Sequence, residues 1–279
     1  GIIFRRKQES GDFVEIPALW SNVVDTRLCS VIGAKNGYTV STVEHIMAAL
    51  AGCGIDNVLI DVSGSEIPIM DGSSEPFVTS IECAGVLEQS SPRKIIRVLK
   101  SISVSEGDSK AMLRPSNRFT VNMEIDFDSA AIGRTSFCLG VVNGAFSKEL
   151  ASARTFGFLH EVEAMRAAGL AKGGSLENAI VVSGDKIVNE EGLRYDDEFV
   201  RHKALDAVGD MYLAGGQVMG EFNGIKSGHA LNNKLLHALF ADQSAWSFDT
   251  ICETQSNSMP DGGLDTLEFV HPGMSGISI

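Results

Sequence analysis

Two short stretches far apart in the chain carry one pattern: Val43-Glu44-His45 opens one helix-like segment, and Val200-Arg201-His202 lies early in another. Each leads through apolar residues and glycines into a run with strand character. The match is short enough to be a chance coincidence; read as an internal repeat, it points to two similar halves. The repeat predicts that each half presents its histidine from a helix to a shared cleft.

The local patterns fill in these halves. Val43, Ile46, Met47 and Leu50 recur at i, i+3, i+4 and i+7, the spacing of one helix face. Ser41 with Glu44 three residues later fits a capping box, so this helix is expected to start near Thr42. Gly52 and Gly54 end it, and residues 57–62 read as a buried strand. Residues 66–73, with a Pro and an Asp-Gly, form a turn or loop, and a helix follows over about 76–84. The polar, Pro-containing residues 89–93 mark a domain boundary. Beyond it, strand-like alternation at 94–98, 101–104, 110–114 and 120–125 predicts a mainly antiparallel sheet. Val162, Met165 and Leu170 predict a short amphipathic helix over 161–171, and residues 179–182 a strand. Asp196-Asp197-Glu198 opens a helix reaching about Ala214, its acidic residues placed where the dipole favours them. Gly215-Gly216 stops it before a strand at 218–222. The fold class expected is α+β, with two similar domains, each a mainly antiparallel sheet layered with helices.

Composition limits the partners. The 279 residues are about twice a common domain length, and 44 % hydrophobic with 21 % charged residues is ordinary for a globular protein. With 36 acidic against 23 basic side chains the net charge is −13, which argues against nucleic-acid binding or adhesion to an anionic membrane. The longest nearly uncharged apolar stretch, 46–55, is about half of what a membrane span needs. The start shows no secretory leader, and the five cysteines, an odd and widely spaced set, read as reduced thiols. A cytoplasmic protein is expected.

Six histidines are few enough to weigh singly. His202 and Asp206 lie four apart on one predicted helix, so their side chains share a face and can grip one metal ion, or form a plain intrahelical polar pair. Asp210 is the next step on that stripe. Eight residues span about 12 Å, so its functional reading is to orient a neighbour rather than to bind the same ion. His45 is the best third ligand, because it lies outside the core stripe of its helix; two His and one carboxylate are the pattern of a catalytic zinc site. Glu44 reads either as the general base beside it or as the capping-box residue. His229 sits in a Gly-bearing turn. It is an exposed turn residue or, kept cationic by Asp210, a group that stabilises an oxyanion and protonates a leaving amine. Arg154-Thr155-Phe156-Gly157-Phe158 is a strand end with buried aromatics, or an oxyanion donor at Thr155 beside an apolar wall. His160, His237 and His271 have surface or core-edge settings, and Gly173-Gly174-Ser175 matches no phosphate-loop fingerprint.

Five segments, Ser41-Thr42-Val43-Glu44-His45, Glu66-Ile67-Pro68-Ile69-Met70-Asp71-Gly72-Ser73, Ala153-Arg154-Thr155-Phe156-Gly157-Phe158, Asp197-Glu198-Phe199-Val200-Arg201-His202-Lys203 and Lys226-Ser227-Gly228-His229-Ala230-Leu231-Asn232-Asn233-Lys234, together resemble the UDP-3-O-acyl-N-acetylglucosamine deacetylases. These are the zinc amidases of lipid A synthesis in Gram-negative bacteria. The segments occur in the family's order and reach to about Trp246. The resemblance implies zinc, with Fe2+ also suited, on His45, His202 and Asp206, and Glu44 as general base. It implies oxyanion stabilisation by Thr155 and by a protonated His229 oriented by Asp210. Lys203 is implied to meet the phosphate-bearing part of a nucleotide-sugar substrate. Residues 158–182 match an inserted element that shapes an acyl-chain passage, with Phe156 and Phe158 as its walls. The family fold is two similar domains with the cleft between them, here expected at 1–88 and 93–246. The chain lacks the stretch that precedes Gly1-Ile2-Ile3-Phe4-Arg5-Arg6 in the family, so the first sheet is expected without its opening strands. Residues 247–279 are expected to form a flexible tail. Other acylated amines as substrate, or a non-catalytic relative, are the competing readings.

Overall fold

The computed structural model describes residues 1–251 except 142, 143, 168 and 170–172. The first part of the chain runs β1 (Ile2–Lys7), β2 (Phe13–Pro17), β3 (Val23–Asp25), β4 (Val31–Gly33), β5 (Thr39–Val40), α1 (Glu44–Gly52), β6 (Val58–Val62) and α2 (Glu75–Ala84). The second begins with β7 (Arg93–Val98), β8 (Ile102–Glu106), β9 (Ser109–Pro115), β10 (Thr120–Asp126) and β11 (Arg134–Gly140). After α3 (Ala145–Glu149) come β12 (Phe156–Phe158), α4 (Leu159–Ala167), β13 (Ile180–Ser183) and β14 (Lys186–Ile187). The chain then forms α5 (Glu198–Tyr212), β15 (Gln217–Ile225), α6 (His229–Ala241) and β16 (Trp246–Ile251).

The fold is α+β, and most strand pairs are antiparallel. The parallel pairs carry the repeat: β1 lies parallel to β6, the strand after α1, and β7 lies parallel to β15, the strand after α5. Each half thus leaves its first strand and passes through a histidine-bearing helix. It returns beside that strand and continues into another helix. The two main sheets are β2-β1-β6 and β11-β10-β15-β7-β16, the latter extended by β9 on β15 and β8 on β9; β3-β4-β5 and β12-β13-β14 form two small ones.

Helices α1 and α5 pack directly on each other, and α5 also packs on β10, β11 and β15. Their approach depends on Gly209, where an added Cβ would collide with the backbone carbonyl of Glu44. Phe4, Ile16, Met47, Leu205, Val208 and Phe222 belong to one continuous buried cluster. All of α5 except Arg201 and Lys203 is buried, so the histidine face of this helix lies inside the molecule.

Several expectations are corrected. There is no capping box: α1 begins at Glu44, no side chain caps it, and Ser41 instead bridges to Glu66 as a strand residue. Thr42 takes a positive φ of 60°, which turns the chain sharply into the helix. The acidic start of α5 is not simply a dipole effect, because Glu198 is fully buried against Arg154. The second half does not end at 246, since β16 pairs antiparallel with β7 through Ile251. The helix expected at 161–171 starts two residues earlier, and Leu170 lies outside the described residues, as do His271, Cys252 and the tail from 252. Cys83 and Cys138 are exposed, Cys29 and Cys53 are half-buried, and all four are free thiols.

Candidate metal centre and active site

His45, in the first turn of α1, and His202, from the second turn of α5, meet where the two helices cross, with ring centroids 5.0 Å apart and planes nearly perpendicular. Asp206, one turn after His202, places Oδ1 3.3 Å from His202 Nε2 and 3.7 Å from His45 Nε2. The three residues are only 3–4 % exposed. One ligand atom from each lies within 4.8 Å of the others.

The protonation pattern suits a cation. His202 Nδ1 lies 3.0 Å from the carbonyl oxygen of Ala153, which can only accept, so Nδ1 carries the hydrogen and Nε2 keeps its lone pair. Burial disfavours charge on both imidazoles, and at His45 the repulsion that a second cationic ring on His202 would bring opposes it further; His45 is pushed down to about 3. Burial would raise Asp206, but His202, Lys203, His229 and His45 outweigh it and hold the carboxylate ionised. Asp206 Oδ1 has no hydrogen-bond partner among the described residues. Lone pairs on two neutral imidazoles and one carboxylate facing one another inside a protein are the donor set of a zinc-type site, and a divalent cation fits them.

Glu44, 3 % exposed, follows the turn at Thr42. Its Oε2 accepts the backbone N–H of Ser30 at 2.9 Å, and its Oε1 lies 3.7 Å from His229 Nε2. Burial pushes its carboxyl up to about 7, opposed by the charge of His229 and aided by Asp206 and Asp210. His229 is the first residue of α6, an end where the helix dipole disfavours a cation. Burial also works against its charge. Asp210, bonded at 2.9 Å through Nδ1, together with Glu44 and Asp206 overcomes both and raises it to about 10. Asp210 further accepts Ser30 Oγ at 2.6 Å and Asn232 Nδ2 at 2.9 Å.

Residues 153–156 wrap His202. Ala153 supplies the carbonyl, and the Phe156 ring is centred 6.3 Å from the imidazole. Between them Thr155 uses its backbone N–H on Gly72 and its carbonyl on Ile180, leaving its half-buried hydroxyl without a partner among the described residues. Gly72 has φ +86°, and a Cβ there would collide with the carbonyl of Asn178, so only glycine lets this loop approach so closely. Phe156 and Phe158 both reach Phe127, at 5.8 and 5.9 Å, and form an apolar wall beside the ligand helix. Lys203 is bonded to Asp206 Oδ2 at 2.8 Å, so its ammonium sits against the carboxylate of the cluster. His237 packs on Trp20 and the exposed His160 on Phe158, away from this cluster.

Sequence reasoning missed Ser30, Asn232 and the Ala153 carbonyl as parts of the site. Asn232 lies in a segment already singled out, whereas nothing near Ser30 marks it. One signal was available only in the backbone. Thr42, Met70 and Lys226, the non-glycine residues with positive φ among those described, all lie in segments leading into the site, where such strain is commonly stored.

The model of the UDP-3-O-acyl N-acetylglycosamine deacetylase family matches residues 1–241. A UDP-3-O-acyl-N-acetylglucosamine deacetylase of Phenylobacterium zucineum is 51 % identical over 253 residues, covering 91 % of this chain and 86 % of the relative. Relatives of the same name from Idiomarina loihiensis and Acidithiobacillus ferrooxidans are each 48 % identical, covering 92 % and 96 % of this chain and 85 % and 87 % of their own lengths. With its family model matched over residues 1–241 and relatives of that name at about half identity over nine-tenths of its length, the chain belongs to the UDP-3-O-acyl N-acetylglycosamine deacetylase family.

Proposed function

We propose that this chain hydrolyses the N-acetyl group of UDP-3-O-acyl-N-acetylglucosamine in lipid A biosynthesis, releasing acetate and UDP-3-O-acyl-glucosamine. The observation that carries the reading is the His45, His202 and Asp206 cluster, flanked on one side by a base and an acid. Two imidazoles and a carboxylate hold Zn2+ well, and Fe2+ suits the same set. Bound there, the ion supplies Lewis-acid activation of water and of the amide carbonyl.

Glu44 takes the proton of the attacking water through Oε1, the oxygen that Ser30 leaves free. The hydroxyl adds to the acetamide carbon. His229, cationic and with Nδ1 fixed by Asp210, meets the developing oxyanion and then gives its Nε2 proton to the departing amine as the C–N bond breaks. The Thr155 hydroxyl is a second donor to the oxyanion. Phe156, Phe158 and the segment 158–182 shape the acyl passage, and Lys203 is the local positive charge for the anionic nucleotide. Residues 1–88 and those from 93 onward are proposed as two domains, supported by the repeated strand order. The nucleotide-activated substrate is of the kind made and used in the cytoplasm, the compartment we propose; among the described residues no helix is long and apolar enough to cross a membrane.

Acetate release from the acylated nucleotide sugar, measured together with metal content, tests the reading. Turnover tracking bound Zn2+ or Fe2+ and falling when the acyl chain is removed is expected. Undiminished turnover without the chain overturns the substrate, and activity in metal-free protein overturns the mechanism.

A further inference from the structure

Ser30 lies in the connection between β3 and β4, outside every segment that carries the chemistry, yet it is only 1 % exposed and touches both Glu44 and the carboxylate that holds His229. Its backbone N–H donates to Glu44 Oε2 at 2.9 Å, and its carbonyl accepts the N–H of Val43 at 3.3 Å, so its backbone brackets the start of α1. Its hydroxyl donates to Asp210 Oδ1 at 2.6 Å, across 180 residues of chain. The other oxygen of Asp210 holds His229 Nδ1, and His229 Nε2 faces Glu44 Oε1. Glu44, Ser30, Asp210 and His229 thus close a ring of polar contacts that links the two helices.

We propose that Ser30 is a positioning residue for the reaction: its hydroxyl fixes the Asp210 carboxylate and so aims the His229 ring, while its N–H selects which oxygen of Glu44 faces the substrate. The inference rests on the functional reading above. Asp210 lies deep between helices with Ser30, His229 and Asn232 as its hydrogen-bond partners. Without the hydroxyl Oδ1 loses its anchor, and the carboxylate, held only through Oδ2, can turn about that oxygen and loosen the direction of the imidazole it holds. A charge-assisted bond of this kind is among the stronger ones in proteins, and its loss within a preorganised site predicts about a tenfold fall in rate.

Ser30→Ala keeps both backbone bonds and removes only the hydroxyl; Ser30→Thr restores it. In the metal-loaded protein, Ser30→Ala is expected to lower kcat for acetate release about tenfold, with KM and bound metal unchanged, and Ser30→Thr to recover most of the loss. The low-field proton resonance of His229 Nδ1–H, assigned by its absence in His229→Ala, is read without substrate. It is expected to shift or broaden in Ser30→Ala and to return in Ser30→Thr. An unchanged kcat in Ser30→Ala, or a loss carried by KM or by metal content, overturns the proposal. If the unaltered protein releases no acetate, the functional reading fails by itself. The resonance then decides the coupling, and an unmoved signal overturns it.

Discussion

Helices α1 and α5 each carry the Val-x-His pattern and each supply one imidazole to the same cluster, but they use the neighbouring residue in opposite ways. On α1 the residue before the histidine is Glu44, buried and turned into the site. On α5 it is Arg201, turned outward to Asp197 and Glu149 and lying over the rings of Phe137 and Tyr195. The histidines differ too. His202 has its second nitrogen tied to a carbonyl, whereas His45 Nδ1 has no partner among the described residues. The repeat therefore delivers matching imidazoles from two halves, while the residue before the histidine turns into the cluster only on α1. A buried polar group is tolerated where a specific partner meets it, and the two helices find different partners.

The sharpest way to break the comparison is to remove the residue both imidazoles face. Asp206→Ala leaves two imidazoles and the Lys203 ammonium without their shared carboxylate. Metal analysis should find the stoichiometric ion lost, and acetate release should vanish with it. Next come the two residues that precede the histidines. Glu44→Ala should keep its metal and lose about a thousandfold in kcat, whereas Arg201→Ala should leave kcat unchanged. Equal losses in the two variants would mean that the helices are chemically alike.

The pH profile separates Glu44 from His229. In the proposed mechanism Glu44 acts ionised and His229 protonated, so the rate should rise with pH as Glu44 loses its proton and fall as His229 does. The falling limb should lie at or below about 10 and the rising limb at or below about 7, because a cation bound at the cluster adds positive charge beside both groups. Asp210→Asn removes a negative charge that favours the imidazolium, so the falling limb should move to lower pH, with about a tenfold to hundredfold lower maximum. A falling limb that stays in place would sever His229 from Asp210. The smallest effect concerns the crossing itself. Gly209→Ala forces α5 away from the Glu44 carbonyl and should cost about 2–3 kcal/mol in urea unfolding.

Much of the fold was legible because strand alternation and helix spacing are local. The strands at 94–98 and 120–125 were read to within a residue of β7 and β10. The capping box failed because Ser41 and Glu44 have the right spacing for a cap, while tertiary partners outcompete it: Ser41 is drawn into a bridge with Glu66, and Glu44 is drawn to Ser30. The strand past 246 was missed because the polar residues of β16 pair with β7, a partner about 150 residues earlier.

The sequence by itself determined which side chains on one helix share a face. His202, Asp206 and Asp210 fall at fourfold steps, and helix geometry leaves them no other arrangement. Its motifs also carried the family resemblance. Only the tertiary structure decided that His45 meets His202, that the Ala153 carbonyl fixes the imidazole tautomer, and that Ser30 joins Glu44 to Asp210. Backbone geometry fixes relations within a turn or two, whereas groups separated by 49 to 180 residues meet only when packing excludes water and brings their helices into contact.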